Sequence, residues 1–185
     1  VQARMGSTRL PNKVRMKING APLIELLFNR LSKSININQV VLATSNNENN
    51  LPLVEHIKGL GYEVFSGDEN NVLDRYFHAA KLFEADAIVR ITGDCPLVDS
   101  TLVDEVINGF IDTNSDYASN REPPTYPDGL DVEVVSIEAL EEAQENVQDD
   151  FQREHVTPYI INSDIYKKFY LKNSEDLSLE RWTVD

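Results

Sequence analysis

The stretch "AIVRITGDCPLVDSTLVDEVINGFI", residues 87–111, decides the fold. Its first five residues form a short apolar run of the kind that buried parallel strands show. Gly93 and Asp94 then mark a loop. Beyond it Asp99 or Ser100 caps a segment in which Leu102, Val103, Val106, Ile107 and Phe110 recur at helical spacing. A strand leaving through a loop into an amphipathic helix is half of a βαβ unit.

The same alternation extends in both directions. "QVVLAT" (39–44) and "YEVF" (62–65) read as further buried strands. "PLIELLFNRLSKS" (22–34) sets Leu23, Leu27 and Leu31 on one stripe, and "NVLDRYFHAAKLF" (71–83) does the same with Val72, Tyr76 and Phe83. The fold class predicted is α/β, a Rossmann-like doubly wound sheet. The rhythm breaks at about 113–135, where "TNSDYASNREPPTYPDG" is a long polar, proline-rich excursion of the sort that is often functional. A strand "LDVEVVS" (130–136), a helix at 137–147, another around 150–163 and a late strand "IYKKFYL" (165–171) complete the map.

Length and composition set limits. With 185 residues, 41% of them hydrophobic, the chain is read as a single domain, 1–185. A start at Val1 and a stop inside "ERWTVD" (180–185) lead us to expect that both ends are cut. There is no apolar run of the roughly 18–20 residues a membrane span needs and no signal-peptide pattern, and the single Cys95 leaves no internal disulfide, so cytoplasmic residence is expected.

Charge is unevenly distributed. The net charge is −14, from 17 Lys+Arg against 31 Asp+Glu, which argues against nucleic-acid polymers and anionic membranes as partners. Yet Arg4, Arg9, Lys13, Arg15 and Lys17 all precede the first acid, Glu25. A local cationic cluster on an acidic background points to a small anionic ligand. If Val1 and Gln2 end a first strand, "ARMGSTRLPNK" (3–13) is the loop at its carboxyl end, where open α/β sheets hold ligands. Gly6 lets the backbone approach closely, Ser7 and Thr8 supply hydroxyl and amide donors, and Arg4, Arg9 and Lys13 reach phosphate oxygens. In chemical terms this is a triphosphate cradle, although it is neither a Walker A loop nor a G-x-G-x-x-G turn.

The stretch "QARMGSTRLPNK" resembles the opening motif of the sugar-activating cytidylyltransferases, the group that includes the 3-deoxy-manno-octulosonate and acylneuraminate enzymes, and within it the SpsF type. "SGDENNVLDRYFHAA" (66–80), "RITGDCPLVD" (90–99), "YPDGLDVEV" (126–134), "REHVTPYI" (153–160) and "RWTVD" (181–185) follow in the family's order. The resemblance implies a nucleotide-diphospho-sugar transferase fold, CTP and Mg²⁺ as nucleotide and cofactor, an acidic sugar as substrate, pyrophosphate as product, and a homodimer built through the 113–135 excursion. It further implies that Ala3 meets the base through its backbone and that Met5, Thr92 and Gly93 belong to the nucleotide site.

The remaining candidates carry alternatives. Asp94, just past a strand and on the edge of the basic loop, is placed to hold Mg²⁺, the alternative being a simple Gly-Asp turn. The resemblance makes it the metal ligand, with Asp185 as a second. Arg75 reaches the nucleotide or forms a helix-surface ion pair with Asp74. Asp131 and Glu133 share one strand face by the two-residue period, and with Asp128 and Gly129 the resemblance makes them a sugar-binding wall. The alternative is a charged, protected edge strand. Arg153 and His155 touch substrate or cap a packed face. Cys95 reads as a small packed side chain, and His56 and His78 as surface or packing residues.

These expectations converge on a nucleotidyltransferase of surface polysaccharide biosynthesis that joins CMP from CTP to an acidic sugar, with Arg9, Lys13 and Asp94 as its catalytic groups. The alternatives are a transferase using another nucleotide and a non-catalytic domain that binds nucleotide or sugar phosphate.

Overall fold

The computed structural model describes residues 1–7 and 10–184. After a small hairpin, β1 (Lys17–Ile18) and β2 (Ala21–Pro22), come α1 (Leu23–Leu31), β3 (Val41–Ser45), α2 (Leu51–Gly59), β4 (Glu63–Gly67), α3 (Val72–Leu82), β5 (Ala87–Arg90) and α4 (Ser100–Thr113). The second half adds β6 (Tyr117–Ser119), β7 (Glu133–Ser136), α5 (Ile137–Asn146), α6 (Asp150–His155), α7 (Pro158–Ile161) and β8 (Lys168–Tyr170). The helix read from residues 99–111 is α4. Its cap is Asp99, whose carboxylate accepts from the amides of Thr101 and Leu102.

Residues 1–3 tie the sheet together. The carbonyl of Val1 accepts from the Ala43 amide at 2.8 Å, the Gln2 amide donates to Ile91 O at 2.9 Å, and Gly93 N donates to Gln2 O at 2.8 Å. The opening segment therefore lies between β3 and the exit of β5, parallel to both. β4 pairs with β3 in parallel, and on the other side the order continues β5-β7-β6-β8. Here the sheet departs from a uniformly parallel pattern: β7 runs antiparallel to β5 and β6, while β8 is parallel to β6.

Helices cover both faces, as the doubly wound reading requires. Leu27 and Phe28 of α1, Ile57 of α2 and Val103 and Val106 of α4 form one core; Leu73 and Tyr76 of α3 and Leu140 of α5 form the other. The two-residue period of a strand distributes side chains between them. In β7, Val134 joins the first core and Val135 the second; in β6, Ala118 joins the first and Tyr117 the second.

The excursion at 113–135 is less irregular than its composition suggests. α4 extends to Thr113, and β6 occupies 117–119 with all three residues buried. "YAS" has no apolar alternation to betray a strand, and its burial comes from β7 and β8 on either side. Asn120 closes the rest, donating to Leu130 O at 2.9 Å and accepting from Val132 N at 2.9 Å. Because β7 lies between β5 and β6, it is an interior strand, and the protected-edge reading of its acids does not hold.

Two positions test this architecture. A Cβ on Gly93 would stand 2.8 Å from the Ala3 Cβ and 3.1 Å from Gln2 O, forcing the opening strand away from β5. Gly93→Ala is expected to cost about 1–3 kcal/mol by urea unfolding. Glu133, opposite Arg90 in the β5–β7 register, is buried and ion-paired with it. Burial works to raise its pKa, but Arg90 and Arg121 outweigh that and hold it below the ordinary glutamate value of 4.5. A depressed folded pKa contributes stability above the unfolded pKa and loses it as pH falls through the folded one. Glu133→Gln should therefore lose about 3 kcal/mol at neutral pH, and the gap to the parent should narrow on acidification below about pH 4.5, as followed by denaturant titrations at each pH.

Candidate active site

Two loops meet at the carboxyl edge of the sheet because the strands that feed them are neighbours. One runs from Ala3 to Lys13, the other from Thr92 to Val98. The first is held by the buried Asn50: its side-chain oxygen accepts from Met5 N at 2.8 Å, and its amide donates to the carbonyl and hydroxyl of Ser45 at 3.2 and 2.6 Å. Ser7 turns the loop, its amide donating to Met5 O and its hydroxyl accepting from Leu10 N at 3.3 Å. At the far end Lys13 Nζ lies 3.4 Å from an Asp94 carboxylate oxygen. Thr8 and Arg9, both expected in the cradle, lie outside the described residues, as does Asp185.

The Arg4 guanidinium, 3.3 Å from Glu69, reaches the loop after β4, which Asn47 also grips through Glu69 at 3.1 Å. Arg75 sits beneath that loop. It is neither paired with Asp74 nor exposed: it is buried and donates to the carbonyls of Asp68 and Glu69 at 2.7 and 2.9 Å. Asp74 faces His78 instead, and His56 faces Glu25, as packing and surface histidines should. Arg75 thus orders the 68–69 loop that carries the partner of Arg4.

Beside Asp94 opens a cavity of about 490 Å³ lined by Arg90, Thr92, Asp94, Arg121, Asp131 and His155, among others. A larger one, about 700 Å³, lies at the opposite, amino edge of the sheet among side chains such as Val40, Ile88 and Phe110, away from both loops. Size favours the second, but the chemistry belongs to the first. Asp94 is 28% exposed there. Burial raises its pKa, yet the Thr92 hydroxyl and the Lys13 ammonium more than compensate and keep it below the ordinary aspartate range. It stays an anion, suited to a cation and poor as a base. Cys95 beside it is buried, and burial above all pushes its thiol up to about 12, so no thiolate forms there.

Asp131 and Glu133 both line the cavity, yet their roles divide. Glu133 accepts from Tyr117 Oη at 2.8 Å and Thr157 Oγ1 at 2.7 Å and pairs with Arg90. Three elements, β5, β6 and the α6–α7 turn, converge on this one carboxylate of β7, and its oxygens are taken. Asp131 is more open, and burial, the first cause, raises its pKa. Thr157 reaches Glu133 because the buried Val156 adopts φ 71°, ψ −58°, with Thr157 N donating back to His155 O at 2.9 Å. A β-branched residue in that γ-turn is strained, and packing on all sides holds it.

The other substrate candidates separate in the same way. Asp128 lines the cavity and pairs with Arg181 at 3.2 Å. Gly129, at φ 105°, has no room for a Cβ against the backbone of Trp182 and Thr183, so it seats the closing segment. That segment continues until Val184 N donates to Asp94 O at 2.9 Å. His155 faces the cavity, its ring 4.3 Å from that of Phe151. Arg153 does not line it and instead donates to Val147 O at 3.3 Å. Arg90, Arg121, Tyr117, Thr157 and Asn50 are not singled out by the sequence reading, since none belongs to a charge cluster. Arg90 and Thr157 lie inside "RITGDCPLVD" and "REHVTPYI" and Arg121 beside "EPP" in the excursion, which is the signal that could have found them.

Comparisons with known proteins agree with this geometry. The model of the family described as Cytidylyltransferase matches residues 1–178. The spore coat polysaccharide biosynthesis protein SpsF of Bacillus subtilis is 36% identical over 182 residues, 95% of this chain and 74% of that protein. A 3-deoxy-manno-octulosonate cytidylyltransferase of Geobacter sulfurreducens is 30% identical over 109 residues, 58% of this chain and 42% of the relative. Among solved structures, a cytidylyltransferase from Leptospira borgpetersenii superimposes with a TM-score of 0.95 at 34% identity, covering 100% of this chain and 79% of that one. With the cationic opening loop set against Asp94 at the carboxyl edge of a doubly wound sheet, and a family match along nearly its whole length, the chain belongs to the cytidylyltransferase family.

Proposed function

We propose that the chain transfers CMP from CTP to a hydroxyl of an acidic sugar and releases pyrophosphate, in the biosynthesis of a surface polysaccharide. The observation that carries this reading is the juxtaposition of Lys13 and Asp94 at 3.4 Å, with the polar 490 Å³ cavity opening beside Asp94. The opening loop takes the triphosphate and the cavity takes the acceptor. The α-phosphorus then lies at their border.

In this reading the acceptor oxygen attacks the α-phosphorus in line, the bond to the bridging oxygen breaks, and pyrophosphate leaves with its electron pair. The hydroxyl proton passes to water in the cavity. Lys13 and Arg4 neutralise the departing phosphates, and catalysis is mainly positioning and charge compensation. Asp94 is an ionised, part-exposed oxygen donor, which suits Mg²⁺, an ion that takes one or two carboxylates together with phosphate oxygens. Bound there, Mg²⁺ would supply charge neutralisation at the phosphates. No cluster of three or more His, Cys, Asp or Glu forms a metal site among the described residues. No described helix is long and apolar enough to cross a membrane, and residence in the cytoplasm, where CTP is supplied, belongs to the proposal. So does a homodimer formed through the 113–135 excursion.

Three substitutions separate nucleotide from acceptor. Lys13→Ala should weaken CTP binding by about 1.5–3 kcal/mol in calorimetry. Asp94→Asn should remove most pyrophosphate release while its melting temperature stays near that of the parent, since a part-exposed loop carboxylate contributes little to the fold. Asp131→Asn should raise KM for the acceptor with CTP affinity unchanged. Unaltered CTP affinity in Lys13→Ala together with full turnover in Asp94→Asn would overturn the proposal.

A further inference from the structure

Among the described residues of the opening loop, both cations already hold an anion. Lys13 faces Asp94 at one end, and Arg4 faces Glu69 at the other, its guanidinium 3.3 Å from one carboxylate oxygen. A polyphosphate laid along this loop must take both cations from carboxylates of the protein itself. The two exchanges are unequal. Asp94, released by Lys13, can take Mg²⁺ in the proposed reaction. Glu69, released by Arg4, keeps the neutral Asn47 amide at 3.1 Å, and among the described residues no second cation is in ion-pair contact with its carboxylate.

The backbone holds this carboxylate in place. Arg75, buried beneath the loop, donates to the carbonyls of Asp68 and Glu69 at 2.7 and 2.9 Å. The Asp68 carboxylate accepts from the amides of Asn70 and Asn71, both at 2.8 Å, and closes the turn. A Cβ on Gly6 would stand 3.8 Å from Glu69 Oε1, so the carboxylate lies against the glycine of the opening loop, where the backbone is most open to a ligand. The turn thus presents a fixed anion to the loop and leaves its side chain free to rotate, with Glu69 36% and Arg4 41% exposed. An ion pair this exposed contributes little, about one- to five-fold in an equilibrium constant. A phosphate group is the better partner for a guanidinium and can displace it.

We infer that Glu69 is an internal counter-ion that competes with the polyphosphate for Arg4 and so lowers the affinity of this protein for its nucleotide. Binding exchanges Arg4 from the Glu69 carboxylate to a phosphate oxygen, while Glu69 stays on Asn47. The inference rests on the reading of the opening loop as a triphosphate cradle. Its cost follows from population: the fraction of molecules in which Arg4 is held by Glu69 is closed to phosphate, and the apparent affinity falls accordingly.

The test measures binding of inorganic triphosphate and of CTP by calorimetry, with Mg²⁺ present and no sugar. The proteins are the parent, Glu69→Gln, Arg4→Ala and the double variant, with Glu48→Gln as a control that removes an exposed charge just after β3. Glu69→Gln keeps the shape and the acceptor for Asn47 and loses the charge. It should bind both ligands about 3–10-fold more tightly than the parent, while Glu48→Gln stays near the parent. In the Arg4→Ala background the gain should vanish. Unchanged affinity in Glu69→Gln, or weaker binding that would make Glu69 a ligand contact, overturns the inference and leaves CMP transfer intact. A gain that survives in Arg4→Ala, or that Glu48→Gln matches, reduces the effect to net charge and overturns it as well. A gain with inorganic triphosphate in a protein that does not bind CTP supports the inference and overturns CMP transfer. A parent that binds neither ligand overturns both together.

Discussion

The backbone pairing of residues 1–3 is the constraint on which the site depends. Gln2 donates to Ile91 and accepts from Gly93, while Val1 accepts from Ala43, so one short segment is bonded on both edges. Backbone groups in a sheet interior must be paired, which leaves this segment a single register. From that register the opening loop and the Thr92–Val98 loop leave adjacent strands in the same direction. Lys13 meets Asp94 as a consequence, although 81 positions separate them. Gly93 is the permissive residue, since any side chain there would collide with Ala3.

A second organising interaction lies one layer deeper. Glu133 is a buried carboxylate with Arg90, Tyr117 and Thr157 arranged around it. Burial of such a charge is costly by itself, and its partners offset that cost, so removing one member would leave the others uncompensated. The network joins β5, β6, β7 and the α6–α7 turn, and it forms the floor of the cavity beside Asp94. Fold stability and cavity shape therefore share residues. The strained Val156 belongs to this arrangement, because its backbone aims Thr157 at the carboxylate.

The division of labour among the acids follows from depth. Asp94, Asp131 and Glu133 are all carboxylates at one edge of one sheet, yet their surroundings push them apart. Lys13 and Thr92 keep Asp94 ionised against the effect of burial; Arg90 and Arg121 do the same for Glu133; for Asp131 burial, with Asp128 and Glu133 as like charges beside it, outweighs both arginines and raises its pKa. Opposed environments of this kind are how one site assigns different tasks to the same functional group.

Periodicity alone carried the strands and helices from residue 22 to residue 111 except α2, because helix and strand burial repeat at 3.6 and 2.0 residues and leave that imprint on composition. It also carried the cationic opening loop, the capped helix after Asp94 and the shared face of Asp131 and Glu133, all of them local in sequence. It could not carry β6, whose "YAS" has no pattern of its own, nor the antiparallel direction of β7, since a strand reached through a long connection has no local mark of its sense. Arg75 reads as a nucleotide contact or as a helix-surface ion pair with Asp74, and it is buried because what covers it is a loop. The separation of Glu133 from Asp131, and the placing of Arg121 over both, depended on partners 10 to 43 positions away. Sequence determined which groups were available and which edge they would occupy; the tertiary structure decided which were spent on one another and which were left facing the cavity, because burial and charge pairing are properties of neighbours in space.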